Sequence, residues 1–207
     1  MRLVLLGPPA SGKGTQAKGL GQRLGVPVVS TGDMLRAALA AGTELGKEAE
    51  KYMSAGKLVP DEVVIGLVDE RLDQPDAKNG CILDGFPRTV PQADRLAKLF
   101  ERRGVRLDAS LCIEVPRELL VERATLRRTD KRTGQIYHLK YNPPPPDAEL
   151  EHRADDQEAT VNKRLDEYEA MTAALLPHYQ QQGVLSRVDG VGTVDEVAAR
   201  IQTALGK

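Results

Sequence analysis

Cysteine is scarce: Cys81 and Cys112 are the only two in 207 residues, each inside an apolar run and without C-x-x-C spacing. That argues against a disulfide framework or a thiolate metal site, and both are expected to be buried, reduced thiols. Histidine is nearly as rare. His138, His152 and His178 have no evident partner in the sequence and are expected at the surface, so no histidine- or cysteine-based nucleophile arrangement emerges. Net charge is also missing: 29% of residues are charged, yet they sum to −1. Neither nucleic acid nor an anionic membrane surface is expected as a partner of such a chain. No run is long and apolar enough to span a bilayer. Met1-Arg2 leads into a short apolar strand rather than a signal-peptide pattern, and a cytoplasmic location is expected. Internal repeats are lacking, as is low complexity beyond the prolines at 143–146.

What is present begins at once. The apolar run Leu3-Val4-Leu5-Leu6 is followed by Gly7-Pro8-Pro9-Ala10-Ser11-Gly12-Lys13-Gly14-Thr15, then by a helical pattern with Ala17, Leu20 and Leu24 on one face. Strand, glycine-rich turn and helix point several backbone N–H groups and a helix N-terminus at one spot, which favours an anion. Lys13 adds a mobile positive charge. The spacing matches G-x-x-x-x-G-K, although the hydroxyl comes one position late, at Thr15. An ordinary βα turn would explain the glycines but not the lysine.

Further along, short apolar runs alternate with helical patterns, which predicts an α/β fold: a parallel sheet with helices on both faces. The strand candidates are residues 2–6, 27–30, 81–84, 110–115 and 185–189, and ligands of such sheets bind beyond the carboxyl ends of the strands. Residues 31–59 read as two short helices, broken at Gly42 and ended at Gly56. Pro60-Asp61-Glu62 opens another, with Val64, Leu67, Val68 and Leu72 inward. Residues 91–103 form a further helix. The one after Pro116 is expected to carry Arg117, Arg123, Arg127 and Arg128, with Arg123 and Arg127 on one face. Such stacked like charges suit either solvent or a bound polyanion. Residues 129–155 break the pattern and read as an inserted mini-domain or lid, with a loose strand at 135–141. A long helix is expected over 156–179, its Asp155-Asp156 start suiting the helix dipole. The last helix opens with the capping box Thr193-x-x-Glu196 and points Val194, Val197, Ile201 and Leu205 inward.

Lys13, Arg36, Arg88, Arg123, Arg127, Arg153 and Arg164 fall mostly at strand ends or lid borders, around one expected cleft. Many guanidinium groups without a general base suit phosphoryl transfer between two phosphates, because the attacking oxygen is already anionic. Asp84-Gly85-Phe86-Pro87-Arg88 ends a strand with a carboxylate that could reach magnesium and an arginine fork that could grip phosphate. A plain strand exit with a solvated arginine is the alternative.

Taken together, residues 7–16, Ser30-Thr31-Gly32-Asp33-Met34-Leu35-Arg36, Gly56-Lys57-Leu58-Val59, Asp84 to Arg88 with Gln92, and Asp155-Asp156-Gln157-Glu158 resemble bacterial adenylate kinases over nearly the whole chain. The resemblance implies a P-loop three-layer α/β/α core with a five-stranded parallel sheet, a small helical AMP-binding insertion and a small β-rich lid. Its bounds would be 1–29, 60–125 and 157–207 for the core, 30–59 for the insertion and 126–156 for the lid. It implies a cytoplasmic enzyme, expected to be a monomer, that converts Mg·ATP and AMP into two ADP.

By the same resemblance, Ala10, Ser11, Gly12, Lys13, Gly14 and Thr15 cradle the ATP phosphates, with Arg123 and Arg127 approaching them. Ile136 and Tyr137 cover the adenine, and Gly192 meets it by backbone. Thr31, Arg36, Lys57, Leu58, Val59, Gly85, Phe86, Pro87, Arg88 and Gln92 hold AMP. Arg153 and Arg164 bind phosphate across the lid hinge. Lys13, Arg88, Arg123, Arg153 and Arg164 would be catalytic, Asp84 would hold magnesium through water, and Phe86-Pro87 would be cis.

Three departures stand out. Ala10 replaces a usual glycine, at a cost if that position needs φ > 0. The lid lacks cysteine, so the structural zinc of many relatives is not expected. Its second half is short and proline-stiffened. A UMP/CMP kinase is the nearest rival, against which Thr31 speaks, since pyrimidine kinases of this group tend to have a small apolar residue there. A GTP switch would need Asn-Lys-x-Asp, and Asn162-Lys163 continues as Arg164-Leu165. A non-catalytic relative is opposed by intact Lys13, Asp84 and Arg88.

Overall fold

The computed structural model describes residues 1–206. In chain order the elements are β1 (Arg2–Leu6), α1 (Lys13–Leu24), β2 (Val28–Ser30), α2 (Thr31–Ala40), α3 (Glu44–Ser54), α4 (Asp61–Leu72), β3 (Cys81–Asp84), α5 (Val90–Arg102) and β4 (Ala109–Glu114). Then come α6 (Arg117–Thr125), β5 (Arg127–Asp130), β6 (Ile136–His138), β7 (Leu150–Glu151), α7 (Glu158–Glu167), α8 (Leu175–Gln181), β8 (Leu185–Asp189) and α9 (Val194–Ala204). The first sheet has five parallel strands in the order β2-β3-β1-β4-β8. A second, antiparallel sheet has the order β6-β5-β7.

The two sides of the parallel sheet follow from the two-residue period of a strand. Leu3 and Leu5, with Ile82, Leu111 and Ile113, face Ala17 and Leu20 of α1 and Val197 and Ile201 of α9. Val4 and Leu6, with Leu83 and Cys112, face the opposite layer of α2, α4, α5 and α8, through Leu35, Val64, Val68, Leu96, Phe100 and Leu175. Every residue of Leu3-Val4-Leu5-Leu6 is therefore buried, which is why a continuous apolar run marks a central parallel strand. The chain leaves β1 towards β3 and β2 on one side and later crosses to β4 and β8 on the other. The loop after β1 thus sits at the switch point, where a crevice opens.

Helix starts follow the side chains that precede them. Ser30, Thr43 and Thr89 cap α2, α3 and α5 by accepting from Asp33, Gly46 and Gln92 N–H groups, and Thr193 with Glu196 forms the capping box of α9. α1 begins at Gly12 with no side-chain cap, so its first N–H groups remain available to a ligand.

Several expectations are corrected. α6 stops at Thr125, and Arg127 and Arg128 lie in β5, so Arg123 and Arg127 are not stacked on a helix. The long helix expected over 156–179 is a 3₁₀ turn, α7, a π-helical turn over Tyr168–Thr172 and α8. Pro177 supplies the reason. It has no N–H, and its ring crowds the carbonyl of Ala173, so the chain widens ahead of it, where Ala173 N–H reaches back to Tyr168 O. The helix restarts with Pro177 in its first turn, where a missing donor costs nothing. The strand expected over 135–141 closes after His138 in a tight turn. A 3₁₀ turn at Pro75–Ala77 was not anticipated. Val194, expected inward, is 56% exposed. Both cysteines are buried and free.

The α2–α3 hairpin that walls one end of the crevice depends on Gly46. A Cβ there would lie 2.2 Å from Leu39 N and 2.3 Å from the Ala38 carbonyl carbon. Gly46→Ala is therefore expected to destabilise the protein by about 1–3 kcal/mol through backbone overpacking. An unchanged urea midpoint would show that the two helices can separate freely.

Candidate active site

The loop between β1 and α1 is drawn tight by Ser11 N–H donating to Pro8 O at 3.2 Å. Lys13 folds back over it, its Nζ donating to Gly7 O at 2.7 Å, Pro8 O at 2.8 Å and Ser11 Oγ at 3.4 Å. Burial lowers the Lys13 pKa from 10.5 to about 8; Asp84 opposes that shift, and Arg88 and Arg164 add to it. Ala10 has φ 63, the only non-glycine with positive φ among the described residues. The cost anticipated for its methyl group is real.

Around this loop lies a cleft of about 890 Å³, and Lys13, Arg36, Arg88, Arg123, Arg127, Arg153 and Arg164 all line it. Each arrives from a different place. Arg88 follows β3 and is anchored by Nε to Gly85 O at 2.8 Å. Burial lowers its pKa to about 10, with Arg164 as the next cause. Arg164 projects from α7 to the Asp155 carboxylate at 2.9 Å, and its pKa is lowered by burial. Arg153 donates to Thr129 Oγ1 at 2.9 Å, and burial followed by Arg36 and Arg127 lowers its pKa. Arg36 pairs with Asp33 at 2.6 Å, and Arg123 donates to Gly190 O at 3.1 Å.

Arg127 is held differently from the others. Its Nε meets Asp156 Oδ2 at 2.8 Å and its Nη2 meets Oδ1, in a bidentate pair with a fully buried carboxylate. Burial alone would lower its pKa, but the Asp156 bonds hold it above the usual value. Asp155 and Asp156, expected to serve a helix dipole, are instead counter-ions to Arg164 and Arg127 in a 3₁₀ turn.

The remaining expected residues line the same cleft: Ala10, Ser11, Gly12, Gly14, Thr15, Ile136, Tyr137 and Gly192, together with Thr31, Lys57, Leu58, Val59, Gly85, Pro87 and Gln92. Thr31 Oγ1 donates to Gly85 O at 2.9 Å, tying α2 to the strand exit. Phe86 is the exception: its ring is 0% exposed and belongs to the core beneath the cleft. The Phe86-Pro87 bond is cis.

The histidines also correct the sequence reading. All three are half-buried and partnered: His138 stacks on Tyr141 at 4.7 Å, His152 meets Gln157, and His178 meets Gln182. His138 and Tyr141 line the cleft and were missed. Their three-residue spacing across a turn was the only available signal.

Asp84 ends β3 with its Oδ2 beside Gly14, and burial raises its pKa against the pull of Lys13 and Arg88. Among the described residues its carboxylate accepts no hydrogen bond. A half-buried carboxylate beside the phosphate loop, with nearby cations but no hydrogen-bond donor, suits a hydrated divalent cation carried in with a nucleotide. Among the described residues no group of three or more His, Cys, Asp or Glu is arranged to hold a metal ion.

The strand order, the lysine-bearing loop at the switch point and the cation-lined cleft define a P-loop nucleotide-binding fold of the α/β/α type. Comparison narrows it further. The family model described as adenylate kinase matches residues 5–184. The adenylate kinase of Sorangium cellulosum is 60% identical over 100% of this chain and 97% of its own length. That of Moorella thermoacetica is 55% identical over 100% of this chain and 99% of its own, and that of Archaeoglobus fulgidus 48% identical over 100% and 99%. The chain belongs to the adenylate kinase family.

Two outcomes are expected. Ala10→Gly relieves the left-handed strain and stabilises the protein by about 0.5–1 kcal/mol, after the entropy that glycine costs; a lower urea midpoint would contradict it. The second concerns protons. Lys13 titrates near 8 when folded and near 10.5 when unfolded, so between those values the unfolded chain holds more protons and this group's contribution to stability rises with pH. A bound phosphate raises the folded value again. Nucleotide binding at pH 8.5 should therefore take up roughly three-quarters of a proton, and affinity should fall as pH climbs past 8. Calorimetry in buffers of different ionisation enthalpy measures this, and zero uptake would contradict it.

Proposed function

We propose that this chain is an ATP:AMP phosphotransferase, catalysing Mg·ATP + AMP ⇌ 2 ADP. The observation that carries the reading is the convergence of Lys13 and six arginines on one cleft. A phosphate oxygen of AMP is already an anion, so proton removal is not the difficulty. The difficulty is to bring two polyanions together and keep water out.

The roles are those that the family resemblance implies. Ala10 to Thr15 and the open N-terminus of α1 hold the ATP phosphates, with Lys13 following the transferred group. To reach it, Lys13 gives up its bonds to Gly7 and Pro8. Arg123 and Arg127 approach the same phosphates, while Ile136, Tyr137 and the Gly192 backbone enclose the base. Thr31, Arg36, Lys57, Leu58, Val59, Gly85, Pro87, Arg88 and Gln92 hold AMP; Phe86 contributes only from beneath. Arg88, Arg153 and Arg164 lie between the two nucleotides and neutralise charge as the phosphoryl group passes. Asp84 would hold magnesium through water, and the ion would supply charge neutralisation at the ATP phosphates.

The segments 30–59 and 126–156 act as an AMP-binding insertion and a lid on a core of 1–29, 60–125 and 157–207. Residues 126–156 contain the second sheet and supply Arg127 and Arg153, so closing them over the cleft would complete the charge and exclude water. The protein is read as a cytoplasmic monomer without structural zinc. No described helix is long and apolar enough to cross a membrane.

Coupled assays with Mg·ATP and AMP, UMP or CMP test the reading. ADP should form fastest with AMP, and a faster rate with UMP would favour the pyrimidine alternative. Arg88→Ala should lower kcat about 10²–10³-fold. Its melting temperature should not fall, because the half-buried guanidinium sits among other cations. A rate within a few-fold of the parent would remove Arg88 from the mechanism.

A further inference from the structure

Gln92 lies in the first turn of α5, 2% exposed yet lining the cleft. A primary amide offers two N–H donors and two acceptor positions in one plane. Here the protein takes one of each: Oε1 accepts from Arg88 N–H at 2.7 Å, and Nε2 donates to Asp61 Oδ1 at 2.6 Å. These partners are of opposite kind. Rotating the amide by 180° would set N–H against N–H and oxygen against carboxylate, so only one orientation satisfies both.

What remains is one donor and one acceptor. That pair complements a ring edge bearing an exocyclic amine beside an unprotonated ring nitrogen, as adenine does at N6 and N1. A 6-oxopurine presents the reverse, an oxygen beside an N–H. Few other groups could make this distinction. Leu35, Val59 and Val64 line the same cleft and share an apolar cluster with Ala93, next to Gln92 in sequence. Thr31 already donates its hydroxyl to Gly85 O.

We propose that Asp61, half-buried at the start of α4, is a positioning residue that sets the preference for 6-aminopurine over 6-oxopurine monophosphates by fixing the amide of Gln92. The inference rests on the assignment of this end of the cleft to AMP. Asp61 touches no substrate in this role; its effect passes through Gln92. The competing explanation is that Asp61 merely places a negative charge at the N-terminus of α4.

Two variants separate these. Asp61→Ala removes the acceptor, whereas Asp61→Asn keeps an acceptor oxygen and removes the charge. With Mg·ATP, kcat and KM are measured for AMP and for IMP, alongside melting temperatures. In Asp61→Ala the KM for AMP should rise about tenfold, with kcat changed less than about threefold, and the AMP-over-IMP preference in kcat/KM should fall about tenfold. Asp61→Asn should recover most of both. In a Gln92→Leu background, Asp61→Ala should alter the preference no further. Should Asp61→Ala fail to fold, Asp61→Ser carries the same expectation.

An unaltered AMP-over-IMP preference in Asp61→Ala overturns the proposal. So does a loss that persists in the Gln92→Leu background, or equal falls in melting temperature for Ala and Asn with no change in preference. A parent without AMP turnover would overturn the function itself, whereas AMP turnover with unaltered preference overturns only the role of Asp61.

Discussion

Repulsion among half-buried cations is the constraint on which the rest of this structure depends. Lys13, Arg88, Arg153 and Arg164 all have lowered pKa values, and in each case burial is the first cause. Neighbouring arginines add to it. A surface arginine would escape by turning to water, but these are tied to carbonyls, hydroxyls and carboxylates that hold them inward. Assembling like charges in a poorly hydrated space costs stability. The arrangement makes physical sense only if an anion of high charge is the usual occupant.

The fold supplies the means. A sheet buried on both faces needs no polar side chains until its strands end, and at those ends the loops can carry charge. β1 yields the glycine loop and Lys13, while β3 yields Asp84 and, four residues on, Arg88. The helical hairpin α2–α3 adds Arg36, β5 adds Arg127, and the segment after β7 adds Arg153. Partial neutralisation by Asp33, Asp155 and Asp156 keeps Arg36, Arg164 and Arg127 oriented while leaving the cleft with surplus positive charge. The same logic of partly used bonding capacity recurs at Gln92, where the protein takes half of an amide's valences and leaves half.

Much of this was legible in the sequence because it is local. β1, β3 and β8 have the bounds read from the sequence, and α2 and α3 end just ahead of Gly42 and Gly56, where glycine was expected to end them. The clustering of cations was also readable, since strand ends converge in any doubly wound sheet. What escaped depends on contacts between distant residues. Nothing near Arg127 announces that it leaves the helix for a strand and a bidentate bond to Asp156, 29 residues away. Asp155 and Asp156 have the form of a helix start until Arg164 and Arg127 are seen against them. Pro177 lies near the end of the helix expected over 156–179, but its effect appears several residues earlier, as the widened turn at Tyr168–Thr172. Phe86 sits between two cleft residues and yet points its ring into the core. The methyl of Ala10 was recognised as costly only on condition that φ was positive, a property that only the backbone geometry reveals.

The most direct test of the central claim is a calorimetric titration with a two-headed ligand in which two adenosines are joined by a chain of five phosphates. If one cleft with surplus positive charge receives two nucleotides end to end, one such molecule should bind per chain and exclude both ATP and AMP. It should also bind far more tightly than either, with an affinity that falls steeply with added salt. Binding of two molecules per chain, or of ATP and AMP undisturbed beside it, would contradict the account.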